Sequence, residues 1–322
     1  MCRGNRGSVV FGADDDVGVF LKTISEVVGR TDWKVHAYVL MSTHYHLLLE
    51  TPSANLVDGM KWLQGTFTQR MNAMHQTWGH LFQGRYKAKI IDDSNSEYFR
   101  KVSDYIHLNP AAAGLLTPKS RPRLESYARS SYPLHLQTPS KRPVWLCTKT
   151  VLSHHRLQDT AKGRRAYQAM MNRSALHARK EGQRFYSNEE WKGMERGWVH
   201  GDKEFRERML EHLNPDSDPP PRQIHDAAQK RDMREMAVEA TIERGLKRLK
   251  VDPSELKTLR KSHPAKLMLA TYLKTHYSIG NTRISEVLHM GHASLVGRCH
   301  TLITDNRDLN RKYETFSRYL DS

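Results

Sequence analysis

The stretch THYHLLLET, residues 43–51, decides the fold class of the first part of this chain. It places two histidines on either side of a single tyrosine, ahead of an apolar run. Successive side chains of a β-strand point to opposite faces, so His44 and His46 share one face while Tyr45 and alternate leucines share the other. The pattern predicts a strand that packs its apolar face on a core and presents both imidazoles on the opposite surface.

The segments before and after this strand predict a hairpin with helices beside it. WKVHAYVLM (33–41) is a second β-rich run only a few residues away, which indicates a hairpin. Apolar residues recur at helical spacing over 14–30, where acids fill the first turn, and again over 55–76.

The next two segments complete the predicted domain. YKAKIIDD (86–93) is typical of a strand, and 94–110 is typical of a helix that a Ser or Asn caps and that Pro110 ends near Asn109. The order α, β, β, α, β, α predicts an α+β sheet with helices on one face. A ferredoxin-like unit has one more strand before the first helix, where only MCRGNRG stands, so we expect a truncated first strand.

The composition points to a nucleic-acid partner. The chain has 322 residues and a formal net charge of +16, and its pI is near 9.8. Phosphate backbones are the usual partner of so basic a protein, although basic side chains can also serve only solubility. No apolar run approaches the ~20 residues of a membrane helix. Three scattered cysteines (Cys2, Cys147, Cys299) form no CxxC, which argues against a disulfide framework and fits a reducing cytoplasm.

The chain divides into four predicted regions. Most of the ordered pattern falls in 1–118, and a basic helical extension follows in 119–213. NPDSDPPPRQ (214–223) is predicted to be a proline-rich linker. The remainder, 224–322, is predicted to be all-α.

The C-terminal region contains a candidate helix-turn-helix. Its turn falls at Met290-Gly291, and the candidate recognition helix covers 294–301, with Ser294 and Arg298 as candidate contacts to duplex DNA. An ordinary helical hairpin without DNA contact is the alternative.

The two histidines are candidate ligands for a divalent metal. Two neighbouring imidazoles can hold one cation, but most such sites need a third ligand. Tyr105 and Asn109 lie four residues apart on a predicted helix and so project from one face. The Asn109 amide oxygen suits Mg²⁺ or Mn²⁺, and the Tyr105 phenol could attack a phosphate held by that metal. The alternative is a buried tyrosine and a helix-ending asparagine.

Several other side chains are candidates for DNA contacts. In QGRYKAK, the polar residues alternate with apolar ones, as they do on a strand that lines a phosphate backbone, although an edge strand protected by lysines is an equal alternative. Trp78 and Phe82 could stack on bases, but core packing is favoured for both. His107 lies on a different face of the predicted helix from Tyr105, and we interpret its role as structural. The polar residues of the alternating segment are Gln83, Arg85, Lys87 and Lys89, and Arg3 and Arg6 are weaker candidates of the same kind.

Three motifs in order carry a resemblance. HYHLLLET, GHLFQGRYKA and SDYIHLNPAAAGL resemble the single-tyrosine HUH transposases, specifically the REP-associated tyrosine transposase group, over residues 1–118. The rest of the chain is similar to longer bacterial members, with looser motifs.

The resemblance implies a ferredoxin-like catalytic domain that acts on single-stranded DNA hairpins in the bacterial cytoplasm, in association with the nucleoid. His44, His46 and Asn109 would hold Mg²⁺ or Mn²⁺, and Tyr105 would be the nucleophile that forms a 5′-phosphotyrosine. The family also implies a homodimer. Two alternatives stay open: a non-catalytic DNA-binding regulator, which the truncated first strand would explain, and a replication-initiator or relaxase-like nickase.

Overall fold

The chain folds into two compact units. The computed structural model describes residues 1–116, 123–187, 198–211, 227–277 and 279–321. The first unit is Met1–Phe205 and the second is Arg206–Ser322. The predicted linker, 214–223, lies outside the described residues.

A three-stranded antiparallel sheet forms the centre of the first unit. Its order is β1 (Cys2–Arg3), β3 (His44–Glu50), β2 (Lys34–Met41). The predicted hairpin is confirmed, since Met41 pairs with His44 across a two-residue turn. The short strand β1 pairs with β3, so that Arg3 lies opposite His44.

The outer side of β1 is occupied by a loosely extended segment, residues 82–87. Phe82 bridges Gly4, the Gln83 N–H donates to the Arg3 carbonyl at 2.8 Å, and the Lys87 N–H donates to the Met1 carbonyl at 2.8 Å. Gly84 has a φ of +65° and interrupts the extended backbone.

The strand predicted over 86–93 is therefore only partly correct. A regular strand is restricted to β4 (Ile90–Ile91), which pairs in parallel with β5 (Val199–His200) from the region predicted to be a helical extension.

Two helices cover one face of the sheet. These are α1 (Asp14–Thr31) and α2 (Leu56–His75), and both match the predicted spans within two residues. The apolar stripe of α2 is buried, with Leu63 and Phe67 fully enclosed. Phe11, Phe20 and Phe67 pack with ring centroids about 5–6 Å apart, which supplies much of this core.

The opposite face is also covered by helices, so the expectation of helices on one face only is wrong. It packs on α3 (Ser96–Ala112) and on two helices of the extension, α5 (Thr148–His154) and α6 (Ala161–Glu181). The sheet therefore has an apolar core on each side, and strand β2 is buried along almost its whole length.

Helix α3 runs through Pro110 instead of ending near Asn109. A proline removes one backbone donor, but the next residues, Ala111 and Ala112, are buried and keep the last turn packed. Asn95 caps the other end by accepting from the Glu97 N–H at 2.9 Å, as predicted.

A buried polar network joins α3 to the extension. His107 is fully buried, and its ring nitrogens lie 2.8 Å from the Tyr167 hydroxyl and 2.8 Å from the Ser131 hydroxyl. This confirms its structural interpretation. The remaining helices of the extension are α4 (Tyr132–Leu136) and α7 (Lys203–Glu211).

In its described part, the second unit is helical, which confirms an α+β chain with a helical remainder. The turn before the candidate recognition helix is held by a buried lysine. Lys266 donates to the His289 carbonyl of this turn at 2.9 Å and to the Leu259 carbonyl at 3.0 Å. Among the described helices, none is both long and apolar enough to cross a membrane. The helices are α8 (Ala227–Leu249), α9 (Pro264–His276), α10 (Asn281–Val287), α11 (Ala293–Thr304) and α12 (Arg307–Asp321).

Candidate active site

Strand β3 places the two histidines on the face opposite Tyr45, as its alternation predicts, but this face is covered by α3 and is not an open surface. Tyr45 is buried against α1 and α2. Leu48 lies in the other core, on the face of the sheet that α3 covers and that also carries His44 and His46. The two imidazole rings are neighbours, with centroids 5.2 Å apart and planes at 79°. The hairpin therefore holds both rings rigidly on one face.

Both imidazoles are held in the neutral form. Burial lowers the pKa of His46 well below its usual value, and the nearby amino terminus and His44 ring lower it further. Burial also lowers the pKa of His44, and the Arg3 guanidinium lowers it further. Neutral imidazole has an unprotonated ring nitrogen, which is the form that ligates a metal.

Two neighbours define the surroundings of His44. The Thr43 hydroxyl lies 3.1 Å from His44 Nδ1, which leaves Nε2 available for a ligand. Arg3 lies directly opposite His44 in the sheet, and cross-strand partners share a face. Its exposed guanidinium therefore lies beside the imidazoles.

Tyr105 reaches the histidines from α3 within the same chain. Its ring packs edge to face on His46, with centroids 5.5 Å apart. On its other side lies Tyr186, from the 3₁₀ turn Gly182–Ser187 of the extension, with ring centroids 4.5 Å apart. The Tyr186 hydroxyl also donates to the Tyr105 carbonyl at 3.2 Å. The half-buried Tyr105 is thus held between a strand of the sheet and the extension.

Asn109 lies one turn beyond Tyr105 on α3. Four residues of α-helix advance about 6 Å and return to nearly the same face. Its side chain is buried, at 8% exposure, in a helix that packs on β2 and β3. Asn109 therefore projects from the face of α3 that carries Tyr105.

The residues present fit a divalent metal. Two imidazoles that share one ion at about 2.1 Å per nitrogen have ring centroids about 5 Å apart, which is the separation of His44 and His46. Among the described residues, no group of three His, Cys, Asp or Glu side chains is placed to hold a metal. The remaining ligands would therefore come from an amide oxygen, a DNA phosphate or water.

The basic segment beside β1 continues this surface. Gln83, Arg85 and Lys87 are exposed, and Lys89 is half-buried. Gln83 lies opposite Arg3, as Arg3 lies opposite His44, so the row His44, Arg3, Gln83 crosses the sheet on one face.

Two further predicted DNA contacts lie in the second unit. Ser294 and Arg298 are exposed on α11, one turn apart, and Gly297 and Thr301 extend the same exposed stripe. The Ser294 hydroxyl lies 2.8 Å from His292 Nδ1, which caps the helix. The predicted pair of helices is present as α10 and α11.

The structure also corrects one prediction and adds one residue. Phe82 is buried, as expected, but Trp78 is 90% exposed instead of packed in the core. Tyr186 was missed, because it stands far along the chain from Tyr105 in a segment without a recognisable motif.

The fold and the site define a class, an α+β domain that brings two neutral imidazoles and a phenol to one face of a small antiparallel sheet. Residues 1–109 match the family model of IS200-like transposases, and this match confirms the resemblance over that part of the chain. The matched segment ends at Asn109 and so contains His44, His46 and Tyr105. A transposase-type function with a DNA partner follows. No curated protein and no solved structure matches the chain.

Proposed function

We propose that this protein is a metal-dependent transposase that nicks and rejoins single-stranded, hairpin-associated DNA through a phosphotyrosine. The observation that supports it most directly is the contact between Tyr105 and His46 within one chain. It brings a nucleophile to a pair of neutral imidazoles, which is the combination that phosphodiester transfer at a metal needs.

The strand order supports a ferredoxin-like domain. With residues 82–87 on the outer edge of β1, the order across the sheet becomes 82–87, β1, β3, β2, and α1 and α2 lie on one face. This is the arrangement of a β-α-β-β-α-β unit. Helix α3 then brings Tyr105 to the second face.

His44, His46 and Asn109 would hold the metal, and the exposed Arg3 would contact a phosphate beside it. Bound Mg²⁺ or Mn²⁺ would withdraw charge from the non-bridging phosphate oxygens. The Tyr105 oxygen attacks phosphorus, the phenolic proton is lost, and the bond to the 3′-oxygen breaks. The departing oxygen takes up a proton and leaves as a 3′-hydroxyl, and the 5′-phosphate remains on Tyr105. Attack by a free 3′-hydroxyl reverses these steps and rejoins DNA, so no external energy source is needed.

The basic surface supports single-stranded DNA as the substrate. Arg85 and Lys87 follow Gln83 along the segment beside β1, and exposed guanidinium and ammonium groups contact phosphates. Exposed Ser294 and Arg298 on α11 support duplex binding by the second unit. Tyr105 reaches His46 without a second copy of the chain, so this contact gives no support for a homodimer. The homodimer remains an expectation from the family.

The non-catalytic alternative depended on a missing first strand. Cys2–Arg3 form a strand against β3 and carry Arg3 to His44, which favours the enzyme.

A covalent-adduct assay tests the proposal. The full chain is incubated with a labelled single-stranded oligonucleotide that carries a hairpin, with Mn²⁺ or with a chelator, and a labelled band of protein mass is sought after denaturation. An adduct is expected in the presence of Mn²⁺ and not in the presence of the chelator, and it should vanish in Tyr105→Phe. No adduct in the native chain, or an unchanged adduct in Tyr105→Phe, contradicts the assignment.

A further inference from the structure

A loop after α2 holds an aromatic ring in solvent. Trp78 is 90% exposed, whereas Trp33, Trp62, Trp145 and Trp198 are buried or half-buried. An indole ring carries a large apolar surface, and single exposed apolar side chains are common on proteins. Exposure alone therefore assigns no role to Trp78, and its role has to be inferred from the surroundings of the ring.

The loop is braced from α2. The Thr77 N–H donates to the Asn72 carbonyl at 2.9 Å, and the Asn72 amide donates to the Gly79 carbonyl at 3.1 Å. Gly79 has a φ of +105°, which favours glycine and closes the turn. Asn72 thus holds the residues on both sides of Trp78, and the ring is presented by a structured turn.

The surrounding sequence is cationic and free of acids. No Asp or Glu occurs between Asp58 and Asp92, whereas Lys61, Arg70, Arg85, Lys87 and Lys89 lie in that interval. In the folded chain Arg70 pairs with Glu26 and His75 pairs with Asp16, so the exposed Arg85 and Lys87 supply the positive potential that favours a polyanion.

The loop leads directly into the candidate active surface. Gln83 is only five residues beyond Trp78, so the two lie within about 18 Å of each other. Gln83 is opposite Arg3, and Arg3 is opposite His44. A strand that passes over the imidazoles and along the basic segment therefore comes within reach of the indole ring.

We propose that Trp78 is a stacking platform for an unpaired base of single-stranded DNA. This inference rests on the proposed function, because it adds a base contact to the strand that Tyr105 attacks. Stacking on an aromatic ring tolerates any base and requires that the base be unpaired. Trp78 therefore contributes preference for single strands over duplex, and it contributes no charge.

The test is equilibrium binding by the full chain in the Tyr105→Phe background, which removes covalent chemistry. Fluorescence anisotropy follows a labelled single-stranded oligonucleotide of mixed sequence and a duplex of the same sequence. Trp78→Ala should raise the Kd for the single strand about 10-fold, within the range for loss of one stacked base, and leave the Kd for duplex unchanged. Trp78→Phe should restore most of the affinity. The dependence of binding on salt should be the same in all three proteins, because no phosphate contact is lost.

The outcomes separate this inference from the proposed function. An unchanged single-strand Kd in Trp78→Ala, with adduct formation intact in the chain that retains Tyr105, overturns the platform alone. Equal loss of single-strand and duplex binding in Trp78→Ala overturns it as well. A change in the sedimentation of Trp78→Ala also overturns it, because it would show that Trp78 lies between copies of the chain. Absence of any single-strand binding overturns both. Circular dichroism and the Tm should be unchanged in Trp78→Ala, because the ring is exposed.

Discussion

The rings of His46 and Tyr105 meet edge to face, with 5.5 Å between their centroids and 73° between their planes. One lies on the central strand of the sheet and the other on the helix that covers its second face. The contact forms within one chain, so the nucleophile and the imidazoles of the candidate site need no partner subunit to bring them together. It also means that α3 and β3 must remain packed for the site to exist.

Loss of a histidine should abolish adduct formation. His44→Ala and His46→Ala should each slow it more than about 100-fold, beyond the loss expected for an outer partner of a metal ligand. The measurement is the initial rate of adduct formation at a Mn²⁺ concentration that just saturates the native chain. Raising Mn²⁺ should partly rescue His44→Ala, because one of the imidazoles remains. A rate within a few-fold of the native value in both variants would remove the imidazoles from the metal site.

Tyr186 is expected to act as a positioning residue for Tyr105. Its ring contacts the Tyr105 ring at 4.5 Å, and its hydroxyl donates to the Tyr105 carbonyl. Tyr186→Ala should lower the rate of adduct formation at saturating DNA about 10-fold, because displacement of a nucleophile by a fraction of an ångström is costly. Tyr186→Phe keeps the ring and should restore most of this rate.

The Kd for DNA separates positioning from binding. It should be unchanged in Tyr186→Ala if the residue only orients Tyr105. A parallel loss of affinity in both Tyr186 variants would instead indicate a DNA contact, and a residual adduct in Tyr105→Phe that disappears in the double variant would identify Tyr186 as a second nucleophile.

The sequence was sufficient for what depends on local periodicity. The alternation in THYHLLLET placed His44 and His46 opposite Tyr45, because side chains two apart on a strand always share a face. The same reasoning gave the hairpin and the two helices on the first face. The convergence of Tyr105 on His46 came from family resemblance, since no local pattern relates them.

Errors arose where long-range packing decided the outcome. Helix α3 continues through Pro110 because the residues after it are buried, which a rule about proline alone does not consider. Trp78 was assigned to the core from residue type, but its turn points it to solvent. Tyr186 was missed, because its position depends on how the extension packs on α3.

The salt dependence of binding should report the basic segment. Arg85→Ala and Lys87→Ala should each reduce the slope of log K against log salt for a single-stranded oligonucleotide by about 0.7, since each neutralises one phosphate. Lys34→Ala is the matched control. Its ammonium pairs with Glu50 at 2.7 Å, at the end of the β2–β3 ladder remote from His44, and its removal should leave the slope unchanged. Equal slopes in the native chain and all three variants would show that Arg85 and Lys87 do not contact DNA phosphates.

Acid stability of the first unit should depend on Asp159. This carboxylate accepts from Arg142 at 2.9 Å and from Arg164 at 2.8 Å, and the Arg142 and Asp159 side chains are 5% and 7% exposed. The hydrogen bonds from Arg142 contribute most to lowering the pKa of Asp159, which falls from 3.8 to about 2. A pKa lowered by folding stabilises the fold above the unfolded value, and this contribution is lost as pH falls from about 4 to about 2. Its size is about 2 kcal/mol.

Comparison with Asp159→Asn isolates this group from the other carboxylates. The variant should be less stable than the native chain by about 3 kcal/mol near neutral pH, because Arg142 is left buried without its counter-charge. Urea-induced unfolding across the pH range measures the difference, which should shrink towards pH 2 as the native carboxylate is protonated. Asp14→Asn is the control, since its carboxylate pairs with Arg129 but is 94% exposed, and it should have a much smaller effect at every pH. A difference between Asp159→Asn and the native chain that stays constant with pH would mean that Asp159 titrates normally in the folded protein.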